Sequence, residues 1–486
     1  MPTMLEAYCR PQSAAPGEAV ALHVSTDATG FEVEVARDGA EREVVVRTSG
    51  VAAASPPPPD ASAWGCDWPE AVRFPVVDTW RSGYYAVTVT AGDERVDAFF
   101  VVRPARDQAR ILLVLATATW NAYNDWGGPS LYTGGTRVSF ERPLAPGFCV
   151  KPLDAPRKAT AEPDPEATAY LDWATEHGLS PWSGGAGWPT WERPFLRWAE
   201  SLGYRIDVAV SQDLELHPEI LRGRRLYLSV GHDEYWSWGM RDAVESYLDD
   251  GGNAAFLTGN TSYWQVRFAT QARAMTCFKY GADADPVLGT KEERSLTSAW
   301  VDRRIGRPEN AMTGLSFSRG GYSRYGLGVP RGTGAYTVWR PDHWLFEGTD
   351  LRYGDALGAT SAVVGYEVDG CELTMRDGIP VPTHEDGAPE GLEVLASAPA
   401  RLWSGAEQPS RYAHEPGELE SVAQAIHGDA WSEHLDAYRN NHAVLGVFPA
   451  PGGGTVVNAG CTDWTCGLND PDVATITRNV LDRLGS

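Results

Sequence analysis

The chain has 486 residues, enough for two or three domains, with an ordinary hydrophobic share of 43%. Its 65 acidic residues against 41 basic ones give a net charge of −24. That balance argues against nucleic acid, which needs basic surface to neutralise phosphates, and against anionic membranes. It fits an acidic, highly soluble surface.

The N-terminal stretch MPTMLEAYCRPQSAAPGEAV carries neither a basic segment nor an apolar run, and nowhere do 18 apolar residues occur in succession. The sequence therefore reads as cytoplasmic, without leader or membrane span. Seven cysteines (Cys9, Cys66, Cys149, Cys277, Cys371, Cys461, Cys466) are odd in number and scattered. They resemble buried thiols rather than a disulfide framework or a zinc site. Nineteen tryptophans, many beside polar residues, suggest the walls of a cavity as well as core.

Residues 1–105 are expected to be all-β. EVEVAR, REVVVRTS, YYAVTVTAG and DAFFVVRP alternate over strand-length runs, with Pro56–Pro59 as a loop between strands. Short strands without helical period suggest an immunoglobulin-like sandwich. Residues 103–110 are a polar linker. From there to 486 the pattern becomes α/β. ILLVLA (111–116) is a buried strand and 192–203 a helix. YRIDVAV is a second strand, and SQDLELHPEIL a helix capped by its serine. RRLYLSV (224–230) is a third strand, MRDAVESYLDDGG (240–252) an amphipathic helix and NAAFLTGN a fourth strand. Such alternation predicts a doubly wound parallel sheet. Residues 265–400, rich in Gly, Pro, Trp and Tyr, form a β-rich region over it. HAVLGVF and TVVNAG return to the core, and a helix closes the chain.

Open parallel sheets bind ligands beyond the carboxyl ends of their strands. Three polar clusters fall there: TATWNAYNDWGGPSLY (117–132), GHDEYWSWG (231–239) and NTSYWQVRF (260–268). His232, Asp233, Glu234 and Tyr235 are consecutive. Asn260, Tyr263 and Trp264 are expected beside them. GHDEYWS followed by a helix and GGNAAFLTGNTSYWQVRF resembles the paired signature of the N,N-dimethylformamidase large (beta) subunit family. TWNAYNDWGG, CFKYGADADP, RPENAMTG, HWLFEGTDLRYGDALG and GGGTVVNAGCTDWTCGL follow in that family's order.

The resemblance implies an α/β domain like that of class I glutamine amidotransferases and an amidohydrolase acting on the C–N bond of a small amide. It also implies a mononuclear ferric iron held by two tyrosine phenolates and one glutamate, hard donors for a hard cation. The matching ligands are Tyr263, Glu347 and Tyr235, with Tyr123, Tyr227 and Tyr280 as rivals for the second phenolate. His232, Glu234 and Asn260 are the candidate catalytic residues. Each has a plainer reading: half-buried aromatics, an arginine-paired glutamate, a structural histidine, and for Asp463 a turn former. The strand NHAVLGVF lacks the glutamate that the family's catalytic members carry, and the family's large chain is longer and works with a small subunit. No cysteine stands at the turn after RLYLSV, so a thiol nucleophile is not expected. The remaining alternatives are an iron enzyme of another reaction class, and a small-molecule or carbohydrate-binding protein with a Trp-rich cleft. A homo-oligomer or a small subunit is the expected protein partner.

Overall fold

The computed structural model describes residues 4–104, 109–162, 164–326, 333–410 and 415–486. Part of the expected linker, 105–108, lies outside them. The protein is mixed α/β and divides into two compact units. The first contains Met1–Ala155, Ala174–Arg224 and Phe268–Thr276. The second contains Pro156–Trp173, Arg225–Arg267 and Cys277–Ser486.

The first unit holds two facing β-sheets. Leu5–Arg10, Ala19–Thr26 and Glu70–Pro75 form one. Ser13–Ala14, Glu94–Val102, Gly83–Ala91, Phe31–Asp38 and Arg42–Gly50 form the other. The alternation in EVEVAR sets which side chains point inward. Val33 and Val35 lie opposite Val89 and Val87, and all four join Leu22, Val24 and Phe100 in a single core. Each such side chain contributes roughly 1.5–3 kcal/mol by leaving water. At the end of Phe31–Asp38, buried Arg37 pairs with Glu200 of the helix Glu192–Ser201. Burial alone would raise the Glu200 carboxyl, but Arg37 holds it below its usual range. Ile111–Leu115 and Ile206–Val210 pair in parallel and are wholly buried. The helix after the second begins one residue earlier than a serine cap would place it: Ser211 is its first residue, and Asp213 accepts the Val210 amide at 3.0 Å in the capping role.

In the second unit Leu226–His232 runs parallel to Asn253–Gly259, joined by the helix Trp238–Asp249. Ser237 accepts the Met240 amide at 3.1 Å and caps that helix. Asn253–Gly259 is in turn parallel to Thr455–Asn458. Beyond this strand the parallel expectation fails. Asn441–Pro449 and Glu393–Ala400 are antiparallel to their neighbours. Only residues 450–454 separate Pro449 from Thr455, with the Ala450 amide on the Gly454 carbonyl at 2.8 Å. A turn that short makes a hairpin, never a parallel crossover. Ser316–Ser323 and Tyr366–Gly370 form a separate antiparallel pair. Among the described residues no helix is long and apolar enough to cross a membrane.

Candidate functional site

Three chain segments of the second unit meet at the carboxyl end of Leu226–His232. The first is the strand end itself. Gly231 has φ 84°, a conformation that favours glycine, and His232 is the last strand residue. Asp233 turns back to accept the Ser229 hydroxyl at 2.6 Å, and burial pushes its carboxyl up to about 6. The second segment follows Asn253–Gly259. Asn260 and Ser262 take φ 52° and 56°. This turn is tied to the first, because the Ser262 and Trp264 amides donate to the carbonyls of Asp233 (2.8 Å) and Glu234 (2.9 Å).

The third segment is Tyr366–Gly370. The Tyr366 amide donates to the Thr462 hydroxyl at 2.9 Å, which fixes this strand against the loop after Thr455–Asn458. A Cβ on Gly259 would meet the Glu367 carbonyl at 2.2 Å, so glycine lets the two backbones approach.

The convergence builds a buried polar cluster. His232 Nε2 lies 2.7 Å from Glu367 Oε2 and 3.4 Å from Glu234 Oε2. Its Nδ1 is 3.2 Å from the Tyr366 hydroxyl. Asn260 Nδ2 donates to Glu367 Oε2 at 3.1 Å, and its Oδ1 has no partner among the described residues. Burial works to raise the Glu367 carboxyl, yet the contact with His232, helped by Lys158 and Asn260, holds it below its usual range. Behind it, Asp369 accepts the Asn260 and Thr261 amides at 2.8 and 3.1 Å and is pushed up to about 7, first by burial. A carboxyl held low and one pushed up to about 7 thus stand two residues apart on one strand.

His232, Glu234 and Asn260 are therefore brought together, and Glu367 and Tyr366 join them. Sequence reasoning passes over these two because GYEVDG reads only as a short strand. The available signal is two acids alternating on one strand face, Glu367 and Asp369, in an otherwise apolar run. Tyr235 and Tyr263 are buried close by. Tyr263 packs edge-on to Trp264 and Phe317, and its phenol is held well above its usual range by burial and by Glu309, Glu418 and Glu234.

Glu347 is not brought into this cluster. It is exposed, and its carbonyl accepts from Asn479 on the closing helix Pro471–Gly485 at 2.7 Å. HWLFEG forms a short 3₁₀ turn that ends at Glu347, where the chain turns outward at Gly348, φ 80°. Among the rival tyrosines, Tyr227 is enclosed within its strand between Trp236 and Phe256, Tyr280 stands edge-on to Trp264, and Tyr123 packs on Tyr132 in the first unit. Asp463 forms an ion pair with Arg157 at 2.5 Å, a structural tie. Burial pushes the thiols of Cys66, Cys149, Cys277 and Cys461 up to about 12, which leaves little thiolate, the nucleophilic form, at neutral pH. Among the described residues, no three His, Cys, Asp or Glu side chains are arranged as a metal site.

The family model described as N,N-dimethylformamidase beta subunit-like, C-terminal, matches residues 32–477. The chain belongs to this family. It is 24% identical over 476 residues to the N,N-dimethylformamidase beta subunit of Paracoccus aminophilus, covering 86% of this chain and 54% of that one. The beta subunit of the same name from an Alcaligenes species is 24% identical over 478 residues, with the same coverage. The chain thus spans about half the length of these curated relatives. Among solved structures, a Pseudomonas fluorescens alkylpurine DNA glycosylase, AlkC, bound to DNA, is 19% identical. It covers 21% of this chain and 30% of its own, at a TM-score of 0.14. The sulfur carrier protein SoxY of Chlorobium limicola is 18% identical over 21% of this chain and 78% of its own, at 0.12. Likeness at that level carries no argument.

Proposed function

We propose that the protein hydrolyses the C–N bond of a small amide, with His232 and Glu367 moving the protons. The observation that carries this reading is the 2.7 Å contact between them, inside a buried cluster whose other members orient both groups. Amide hydrolysis needs a base to take a proton from water and an acid to deliver one to the departing nitrogen. Glu367, held ionised by its neighbours, takes the proton as the water oxygen adds to the carbonyl carbon. His232 passes it to nitrogen as the C–N bond breaks, leaving a carboxylic acid and an amine. Asn260 Nδ2 holds the Glu367 carboxylate, and Tyr366 fixes the imidazole through Nδ1. The relatives' name, N,N-dimethylformamidase beta subunit, supports a small amide as substrate.

An iron ion bound by Tyr235, Tyr263 and Glu347 together does not fit these residues, because Glu347 is exposed beside the closing helix. No step is assigned to it. In our reading the carboxylate that suits a hard cation is Glu234, buried at the strand end beside fully buried Tyr235. Such a cation would polarise the amide carbonyl as a Lewis acid. Iron content separates the two assignments. We expect iron to be retained in Glu347→Gln and lost in Glu234→Gln; loss in the first with retention in the second restores Glu347.

The immunoglobulin-like character of residues 1–105, the amidotransferase-like character of residues 106–486, the cytoplasmic location and a small-subunit partner belong to the same proposal. The hydrolase reading is tested on N,N-dimethylformamide and related small amides. Glu367→Gln is expected to lower kcat/KM by about 10²–10⁴-fold. Wild-type rates in that variant, or no amine release by the wild type, overturn the reading.

A further inference from the structure

The strand that brings Tyr366 and Glu367 to His232 is itself faced by a cation. The Lys158 ammonium lies 4.5 Å from the centroid of the Tyr366 ring and 5.1 Å from that of Tyr325, and the two rings stand edge to face at 5.3 Å. An ammonium within about 6 Å of a ring centroid is attracted by the negative face of the ring. Lys158 therefore sits on the phenol whose hydroxyl is 3.2 Å from His232 Nδ1.

The segment that carries Lys158 has no regular secondary structure and is fixed by the lysine's neighbours instead. On one side, Arg157 donates to Asp463 at 2.9 Å and to the carbonyls of Ser361 and Ala362 at 2.6 and 2.8 Å. On the other, the Thr160 amide donates to the Arg324 carbonyl at 2.8 Å, and Arg324 Nε donates to the Thr160 carbonyl at 3.2 Å. Between them Ala159 packs on Gly365, where a Cβ would stand 2.6 Å from its own. Gly365 directly precedes Tyr366, so the loop is seated against the strand it charges. The base of the half-buried Lys158 side chain is thereby fixed beside the two rings.

The charge reaches the next residue of the strand. Burial works to raise the Glu367 carboxyl, and Lys158 acts with His232 and Asn260 to hold it down. Other groups around Glu367 oppose them. Asp369, Glu418 and Tyr322 stand above their usual ranges, chiefly through burial, with the Glu367 charge adding to the effect, and Glu234 lies 3.4 Å from the same imidazole. Only four of the 41 basic residues are lysines. A chain that otherwise carries its positive charge on arginine thus places here a compact ammonium, a point charge that settles on a ring face while its field falls on the neighbouring acid.

We propose that Lys158 is a positioning residue of the His232–Glu367 cluster: its ammonium holds the Tyr366 phenol in place on the imidazole and adds a positive charge to the field at the Glu367 carboxylate. It acts through these two residues and not on the amide itself. The inference rests on the hydrolase reading for its role in turnover, because a base must be ionised to take a proton from water.

Two measurements separate that role from the reading it rests on. The first needs no turnover. Isotope-labelled glutamate in the full chain is observed by carbon NMR, and the carboxyl signal absent from Glu367→Gln is followed against pH. Removing a nearby cation makes the charged form less favourable. In Lys158→Met, which keeps the length of the stem, the Glu367 midpoint should therefore rise by about one pH unit. Lys158→Arg, which keeps the charge, should leave it in place. The second measurement is the acid limb of kcat/KM for N,N-dimethylformamide, set by a base that must lose its proton. It should move to higher pH in Lys158→Met and return in Lys158→Arg. A merely structural lysine would lower the amount of folded protein without moving either midpoint. A Glu367 midpoint unmoved in Lys158→Met, or moved as far in Lys158→Arg, overturns the proposal. If the midpoint moves and no amide is cleaved, Lys158 keeps its place and the hydrolase reading falls. If amides are cleaved and the midpoint does not move, the hydrolase reading stands and Lys158 only covers two rings with its stem.

Discussion

At the scale of single residues, the second unit carries several buried carboxyl groups, and their protonation differs by position. Glu367 is held low by His232, whereas Asp369 is pushed up to about 7 and Glu309 to about 8. Glu309 accepts the Ser316 hydroxyl at 2.5 Å through Oε1, and its Oε2 has no partner among the described residues. A carboxyl whose folded value exceeds its unfolded one holds its proton more tightly in the folded chain. Stability therefore falls as pH rises from about 4.5, the unfolded value of glutamate, to about 8, its folded value here. Glu309→Gln removes this term. The expected outcome is a variant as stable as wild type near pH 5 and more stable at pH 9, by an amount on the order of a few kcal/mol. Urea unfolding at both pH values reads it. A variant less stable than wild type at pH 9 would show that Glu309 is ionised and bonded in the fold.

At the scale of elements, the site depends on how closely strands approach. Gly259 ends its strand with the Glu367 carbonyl 2.2 Å and the Thr462 amide 2.7 Å from where a Cβ would stand. Both are backbone atoms and cannot rotate aside. Gly259→Ala is expected to cost about 1–3 kcal/mol of stability by overpacking. It should also reduce amide hydrolysis far more than the remaining folded fraction explains, because it pushes Glu367 away from His232. Activity that merely tracks the folded fraction would mean the two strands yield without disturbing the site.

How much of this is legible in the sequence follows from the range of the forces involved. The strands Ile111–Leu115, Leu226–His232 and Asn253–Gly259 and the helix Trp238–Asp249 are local patterns of apolar spacing and capping, and they are readable within a few residues. The convergence of His232, Glu234 and Asn260 follows from the rule for strand ends. The contact of Glu367 with His232 is not readable, because it spans 135 residues through a separate two-stranded sheet. The helix Glu418–His427 is left unassigned by the sequence reading although a local pattern marks it. Its signal is present as Pro416–Gly417, acids in the first turn, and Leu419, Val422 and Ala423 at helical spacing. Glu347 is placed by motif order alone, and motif order says nothing about whether a turn faces inward.

For the molecule as a whole, the net charge of −24 sets a condition on stability that no single contact reveals. The excess acid repels itself in the compact state more than in the expanded unfolded chain. Salt shortens the reach of that repulsion from about 30 Å at 0.01 M to about 10 Å at 0.1 M. Salt also weakens exposed ion pairs such as Arg42–Glu34 and Arg47–Glu34, but each of these is worth only about 0–1 kcal/mol. The enclosed pairs Arg37–Glu200 and Arg224–Asp207 are shielded from solvent ions and change little. Relief of repulsion should therefore win. The expected outcome is a melting temperature at pH 8 that rises by a few degrees, on the order of 2–4 °C per kcal/mol for a large domain, between 0.01 and 0.2 M sodium chloride. Urea midpoints should move in the same direction, and urea is the denaturant to use because guanidinium is itself a screening salt. Stability that falls with added salt would mean that the acidic residues are matched locally by basic ones across the surface, and that the net charge exerts no collective effect on folding.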